Sequence, residues 1–249
     1  FHNNFESIRR FIMNETVKKL MKGVIISCQA YESTPLYGSE YMVAMAKSAE
    51  MGGANGIRAC WPQDVKAIKE NTTLPVIGIF KDFGDGDPLD DIFITPTLEK
   101  ASAIVEAGCD VLALDCTIRK KRSFEELKRL LMEIKEKYPY IPIMADLATL
   151  DEAVKVAKTG YVDIISTTLS GYTRDSMNKY SDGPDVQLIR DIKKYTSLPV
   201  NAEGRIWELG DLELVIEAGA DIVSIGSAVT RPQLITERFV KGNHKYRNS

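Results

Sequence analysis

The chain of 249 residues is long for one average domain and typical of a single α/β barrel, so length does not force a split into two. Hydrophobic residues at 44%, charged residues at 27%, and 17 Gly with 10 Pro describe an ordinary folded protein and exclude a disordered, collagen-like or low-complexity chain. The net charge is -3, from 32 basic and 35 acidic residues with no long run of one sign, which leaves no electrostatic footprint for nucleic acid.

In chain order, an amphipathic stretch from Phe5 to Met21 predicts a leading helix, and residues 1–22 read as an extension packed on the main body of the fold. Residues 23–242 then alternate short β-branched runs with helical patterns, and 243–249 form a tail. The predicted strands are Val24–Ser27, Gly56–Arg58, Val76–Phe80, Val111–Leu114, Ile141–Met144, Val162–Ile165, Pro199–Ala202 and Asp221–Ile225. The helical patterns between them cover Ser39–Glu50, Asp64–Glu70, Leu98–Glu106, Phe124–Tyr138, Leu150–Lys158, Val186–Lys194 and Asp211–Glu217, with a further helix after the last strand. Nearly continuous apolar runs, without polar alternation, are what parallel strands buried on both faces present.

The joints repeat. Gly52-Gly53, Gly108, Gly160 and Gly219 each end a helix ahead of an even-numbered strand, where glycine supplies a positive-φ cap. Pro75, Pro142 and Pro199 instead lead into strands 3, 5 and 7. This fourfold echo favours a single (β/α)8 TIM barrel, carrying an extra N-terminal helix, over an open doubly wound sheet, and Gly204 after strand 7 with Gly226-Ser227 after strand 8 mark it as one of the phosphate-binding type.

Residue usage removes several chemistries. His2 and His244 stand at the two ends, and Cys28, Cys60, Cys109 and Cys116 are scattered without a CxxC pair. Structural zinc, histidine-based metal sites, a Cys-His dyad and a Ser-His-Asp triad are thereby excluded, and catalysis falls to Lys, Glu, Asp, Arg, Tyr or a thiol. The longest apolar stretches, five to seven residues, fall short of a membrane span of roughly 20. The first residues carry no apolar segment with a small-residue cleavage site, so the chain reads as cytoplasmic with free thiols.

In a barrel the active site is built where the strands end. Strand ends here supply Ser27-Cys28-Gln29, Arg58, Lys81, Asp115 with Thr117, Asp146, Thr167-Thr168, Glu203-Gly204-Arg205 and Gly226-Ser227. Lys81 follows five apolar residues and reads as a base or a Schiff-base nucleophile, with a rim ion pair as the plain alternative. Glu203 is either its partner in catalysis or the partner of Arg205. Asp115 and Asp146 can each be inner-layer acids, and Arg58 needs a partner, for which a substrate oxygen or Asp115 would serve. Gly204, Gly226 and Ser227, leading towards Arg231-Pro232, form a phosphate-site pattern.

These residues resemble, in one colinear order from about Gly23 to Val240, the N-acylmannosamine-6-phosphate 2-epimerase family. The segments carrying the resemblance are Ser27-Cys28-Gln29-Ala30, Gly56-Ile57-Arg58-Ala59, Ile77-Gly78-Ile79 before Lys81, and Phe93-Ile94-Thr95-Pro96-Thr97. They continue with Ala113-Leu114-Asp115, Met144-Ala145-Asp146, Thr167-Thr168-Leu169, Gly171-Tyr172-Thr173, Ala202-Glu203-Gly204-Arg205 and Gly226 to Pro232. The resemblance implies inversion at C2 of N-acetylmannosamine 6-phosphate, giving N-acetylglucosamine 6-phosphate in sialic acid breakdown, with no metal and no cofactor. It makes Lys81 and Glu203 the catalytic pair. Gln29, Arg58, Asp146, Thr168 and Tyr172 would contact the sugar and its acyl arm, while Gly204, Arg205, Gly226, Ser227 and Arg231 would hold the phosphate. Cys60-Trp61 and the acidic loop Phe83–Asp91 depart from the family pattern beside the mouth. Two other readings use the same residues: a Schiff-base aldolase acting through Lys81, and a sugar-phosphate sensor without chemistry. The only partner expected is a small sugar phosphate, with no nucleic acid and no membrane. The stripe Ile8, Phe11 and Ile12 and the last helix leave room for a homodimer.

Overall fold

A computed structural model describes residues 13–177 and 183–247, with side chains through residue 243. Eight parallel strands close into a barrel: β1 (Val24–Cys28), β2 (Gly56–Cys60), β3 (Val76–Ile79), β4 (Val111–Asp115), β5 (Ile143–Asp146), β6 (Ile164–Ser166), β7 (Val200–Glu203) and β8 (Ile222–Ile225). Each strand pairs with the next, and β8 pairs with β1. Around them lie α1 (Glu15–Leu20), α2 (Ser39–Met51), α3 (Pro62–Lys69), α4 (Leu98–Glu106), α5 (Phe124–Lys137), α6 (Leu150–Ala157), α7 (Val186–Tyr195), α8 (Leu209–Glu217), α9 (Ser227–Thr230) and α10 (Pro232–Arg247). The fold is the expected (β/α)8 barrel. The stripe Ile8, Phe11 and Ile12 lies outside the described residues.

Strand ends differ from the apolar runs for a physical reason. β4, β5 and β7 finish on Asp115, Asp146 and Glu203, since the ladder continues into the polar mouth where hydrophobicity stops marking it. Pro75, Pro142 and Pro199 stand one residue before β3, β5 and β7 rather than inside them. Each still contributes its carbonyl, accepting from Ile57, Leu112 and Ile165 of the neighbouring strand at 2.9–3.0 Å, so each stays tied to the ladder although it has no N–H to donate.

Alternation along the strands separates two apolar shells. Ile57, Ala59, Leu112, Leu114, Ile143, Ala145, Ile165, Val200 and Val223 pack outward against the helices. Ile25, Cys60, Ile77, Ile79, Val111, Ala113, Met144, Ile164 and Ile222 form a second cluster inside the barrel, joined by Val17 and Leu20 of α1. The short α1 therefore stoppers the amino-terminal end of the barrel. Gly56 makes room for it, because a Cβ there would lie 2.7 Å from a Leu20 methyl.

The barrel floor repeats fourfold. The residue just ahead of each even strand points its side chain at the first N–H of the preceding odd strand: Asn55 at Val24 (3.1 Å), and Asp110 at Val76, Asp163 at Ile143 and Asp221 at Val200 (2.8 Å each). Lys69, Lys135 and Lys193 pair with the three aspartates at 2.7, 2.9 and 2.7 Å. With α1 and these clamps closing the floor, the strand ends at the opposite face are left to form the site.

Candidate active site

At the mouth, Arg58 of β2 reaches across the lumen to Asp146 of β5. Its Nη2 lies 2.5 Å from Asp146 Oδ2 and its Nη1 3.1 Å from Oδ1, and both side chains are buried. The same Nη1 lies 3.1 Å from Glu203 Oε2. Thr168 Oγ1 stands between the two acids, 2.8 Å from Asp146 and 3.1 Å from Glu203. Behind them, Asn201 donates to Ser166 Oγ (2.7 Å) and Ser224 Oγ donates to Asn201 Oδ1 (3.0 Å). The predicted Arg58, Asp146, Thr168 and Glu203 thus come from the ends of four strands into one hydrogen-bonded group.

Its electrostatics follow from burial. For Glu203, removal from water pushes the carboxyl above its ordinary value; Arg58 pulls the other way, and Asp146 adds to the rise. Burial opposes the charged form of Arg58, but Asp146 and Glu203 overcome that penalty and hold the guanidinium above its usual range. Two buried polar atoms here lack a partner among the described residues, Arg58 Nε and Gln29 Oε1. Gln29 itself is oriented by its amide, which donates to Ser27 Oγ at 2.7 Å.

Two expected pairings are corrected. Arg58 does not meet Asp115: that acid is enclosed on β4, where Arg119 lies 3.0 Å and Arg122 3.3 Å from its carboxylate, and Thr117 donates to it twice. Asp115 therefore braces the β4–α5 loop. Nor does Glu203 pair with Arg205, whose Nε and Nη1 donate to the carbonyls of Gly183 (2.7 Å) and Ser170 (2.6 Å). The turn responsible has two consecutive positive φ values, 110° at Gly204 and 57° at Arg205, which swing the arginine away from its neighbour.

Lys81 lies beyond the end of β3. The returning segment Phe93–Thr95 wedges between β3 and β4, pairing Ile94 with Lys81 and accepting from Asp82 through Phe93 O at 2.9 Å. Lys81 is half-buried, and in place of an apolar enclosure its Nζ meets the phenol of Tyr31 at 2.6 Å. Trp61 donates from Nε1 to Lys81 O at 2.9 Å while holding φ at 69° and ψ at 148°. A non-glycine residue in that region costs about 1–3 kcal/mol and persists only where its surroundings enforce it. Neither Tyr31 nor the strain at Trp61 was legible from residue type, since aromatic residues in loops are common.

Around the rest of the rim, Tyr172 is half-exposed beside Gly171, and Arg205 lies 5.8 Å from its ring centre. Gly226 caps α9, whose start leaves the Ser227 and Ala228 N–H groups without intrahelical acceptors. Thr230 Oγ1 pins this turn to β1 through Ser27 O at 2.8 Å. Arg231 follows, 5.1 Å from the Tyr31 ring centre. All four cysteines are free and buried, and burial pushes the thiols of Cys28 and Cys109 up to about 12 and that of Cys60 to about 11.

A closed barrel that gathers a lysine, an arginine and two acids at its carboxyl-terminal strand ends has the architecture of a (β/α)8-barrel enzyme. A family model described as "Putative N-acetylmannosamine-6-phosphate epimerase" matches residues 42–245, and the chain belongs to this family. Two relatives bear the name "Putative N-acetylmannosamine-6-phosphate 2-epimerase". One, from Caldanaerobacter subterraneus subsp. tengcongensis, is 43% identical over 91% of this chain and 93% of its own length. The other, from Clostridioides difficile, is 45% identical over 90% and 96%. The solved N-acetylmannosamine-6-phosphate 2-epimerase from Clostridium perfringens superimposes with a TM-score of 0.84 at 38% identity, covering 92% of this chain and 96% of that one.

Proposed function

We propose that this protein is a carbohydrate epimerase that inverts C2 of N-acetylmannosamine 6-phosphate, giving N-acetylglucosamine 6-phosphate in sialic acid catabolism. One observation carries this reading beyond family membership: two acids of the mouth are braced by one buried arginine, while Lys81 on the nearby rim is held by a neutral phenol. That division suits a proton taken by one group and returned by another.

The open-chain sugar presents a C1 aldehyde, which acidifies the C2 hydrogen. Lys81, as a neutral amine, takes that proton and becomes an ammonium, leaving an enolate whose charge rests on O1. Arg58 Nε, buried and without a partner among the described residues, is the donor for that oxygen. Glu203, whose burial favours the protonated carboxyl, assists ring opening and returns a proton to the opposite face of C2. Asp146 and Thr168 hold Arg58 and Glu203 in register, and Gln29 Oε1 and Tyr172 face the acyl arm. The phosphate is assigned to Gly204, Arg205, Gly226, Ser227 and Arg231, supported by the free N–H groups at the start of α9 and the positive-φ turn at Gly204. Anchoring there supplies binding energy that orients C2.

The test is proton NMR of N-acetylmannosamine 6-phosphate with the protein in D2O. The wild-type protein is expected to form the gluco epimer carrying deuterium at C2, and Lys81→Met to form none while remaining folded. Normal turnover by Lys81→Met overturns the assignment. Borohydride trapping of substrate on Lys81 would instead favour the Schiff-base aldolase.

A homodimer is part of the proposal. A groove of about 460 Å³ runs beside β1, lined by Val24, Ile26, Met45, Ala49 and Val229, and α10 packs on α9 with Phe239 78% exposed. A second copy's apolar α10 face suits that groove. No helix among the described residues is long and apolar enough to cross a membrane. A phosphorylated sugar substrate and four buried free thiols support work in the cytoplasm.

A further inference from the structure

We infer that Tyr31 is a positioning residue for Lys81, holding its side-chain nitrogen at the barrel mouth while Trp61 holds its backbone. The inference deepens the epimerase reading and rests on it for the role of Lys81.

A lysine side chain has a flexible four-carbon stem and loses much freedom when it is fixed, so an unanchored Lys81 would sample the whole rim. Among the described residues no carboxylate lies within 4 Å of its nitrogen. The anchor is a neutral oxygen, Tyr31 Oη at 2.6 Å, and the nitrogen lies 5.2 Å from the centre of the same ring. Tyr31 is itself wedged. Trp61 meets its ring edge-on at 6.1 Å and Phe83 at 5.9 Å, Phe83 stacks on Phe93 at 5.3 Å, and Arg231 lies 5.1 Å over the Tyr31 ring. From the other side, Trp61 adopts its costly backbone conformation and thereby aims its indole N–H at Lys81 O, 2.9 Å away. A strained residue whose side chain grips the residue that needs placing is the pattern expected of a constraint serving chemistry.

A phenol suits this task better than a carboxylate would. Its oxygen accepts an N–H from the ammonium and from the neutral amine alike, so the hydrogen bond survives the change of protonation state and leaves the amine lone pair free to take the proton. A carboxylate would instead stabilise the ammonium and oppose the neutral form that the reaction needs. Tyr31 thus keeps the nitrogen in place before and after it takes a proton.

The experiment compares wild type with Tyr31→Phe, which keeps the ring and its packing and deletes only the hydroxyl. Two readouts are taken: kcat and KM for C2 inversion by NMR, and the rate at which acetic anhydride labels Lys81, followed by peptide mass spectrometry. The expected result is a kcat lowered about tenfold with KM changed less than about twofold, the size of loss that small misplacement of a reacting group produces. Lys81 labelling should accelerate several-fold. Trp61→Phe, which loses the indole N–H, should shift both readouts in the same direction. Unchanged kcat and labelling in Tyr31→Phe overturn the inference, as does a parallel change in kcat and KM with a lowered melting temperature, which marks a purely structural role. If the wild type inverts no C2 centre yet Tyr31→Phe still accelerates labelling, positioning stands and the epimerase reading falls.

Discussion

Arg58 Nη2 and Asp146 Oδ2 meet 2.5 Å apart at the heart of the barrel, joining the second strand to the fifth with both side chains closed off from solvent. Such a pair adds little to stability relative to a well-packed apolar replacement, but losing one partner strands a charge. Asp146→Ala should therefore cost about 3–5 kcal/mol in a urea titration. A cost near zero would mean that Glu203 alone, 3.1 Å from Nη1, suffices to compensate the guanidinium.

Burial pushes the carboxyl of Glu203 above its ordinary value of 4.5 against the pull of Arg58, so the folded state keeps its proton to a higher pH than the unfolded chain does. A group whose folded value is raised contributes stability that is fully present below its unfolded value and is lost as pH rises through the folded one. Glu203→Gln, which mimics the protonated side chain, should melt at the same temperature as wild type near pH 4 and at a higher one at neutral pH. C2 deuterium exchange should fall by at least about a hundredfold in the same variant, the loss typical of removing a general acid. An equal melting temperature at both pH values would contradict the direction of the shift.

Arg174 in the loop after β6 grips Asp87 and Asp90 in the loop after β3, with Nε 2.7 Å and Nη2 3.0 Å from the Asp90 carboxylate. These strands lie three places apart around the ring, so the contact spans the part of the mouth above β4 and β5. Exposed ion pairs are readily screened, and at about 1 M salt the Debye length falls to about 3 Å. Limited proteolysis with an aspartate-directed protease should cut the Phe83–Asp91 loop faster in Arg174→Ala than in wild type, and salt should remove the difference. Identical cleavage at low salt would show that the strap does not hold the loop.

Phe239 offers a test of assembly. Replacing this exposed ring on α10 with Glu should convert a dimer to a monomer in sedimentation equilibrium while leaving the barrel's helical signal intact. A monomeric wild type would remove the proposed partner.

The architecture was legible because buried parallel strands and their Gly and Pro joints repeat; Pro75, Pro142 and Pro199 mark alternate strands in the sequence and in space. The motif residues Arg58, Asp146, Thr168 and Glu203 were legible as strand-end residues, and the barrel's closure brings them together. Pairing was not legible. Arg58 had Asp115 as a plausible neighbour by type, and only the register of β5 and the reach across the lumen decide for Asp146. Tyr31 carries no signal of its own in the sequence, because its partner is fifty residues away and its importance lies in a contact rather than a pattern. The backbone of Trp61 was equally hidden, since nothing in residue type announces a positive φ outside glycine.

The clamps under the barrel have a consequence for how the chain is wired. Each side-chain bond ties the start of an odd strand to the residue before its even successor, Val24 with Asn55, Val76 with Asp110, Ile143 with Asp163 and Val200 with Asp221, and none reaches into the next pair. These strand-start bonds thus lie inside four parallel strand–helix–strand quarters, while Lys69, Lys135 and Lys193, from the helices ahead of β3, β5 and β7, tie three of the quarters to the connection before them. A circular permutant opened between β2 and β3 keeps all four strand-start bonds local, whereas one opened between β3 and β4 turns the Val76–Asp110 bond into a meeting of the molecule's two ends.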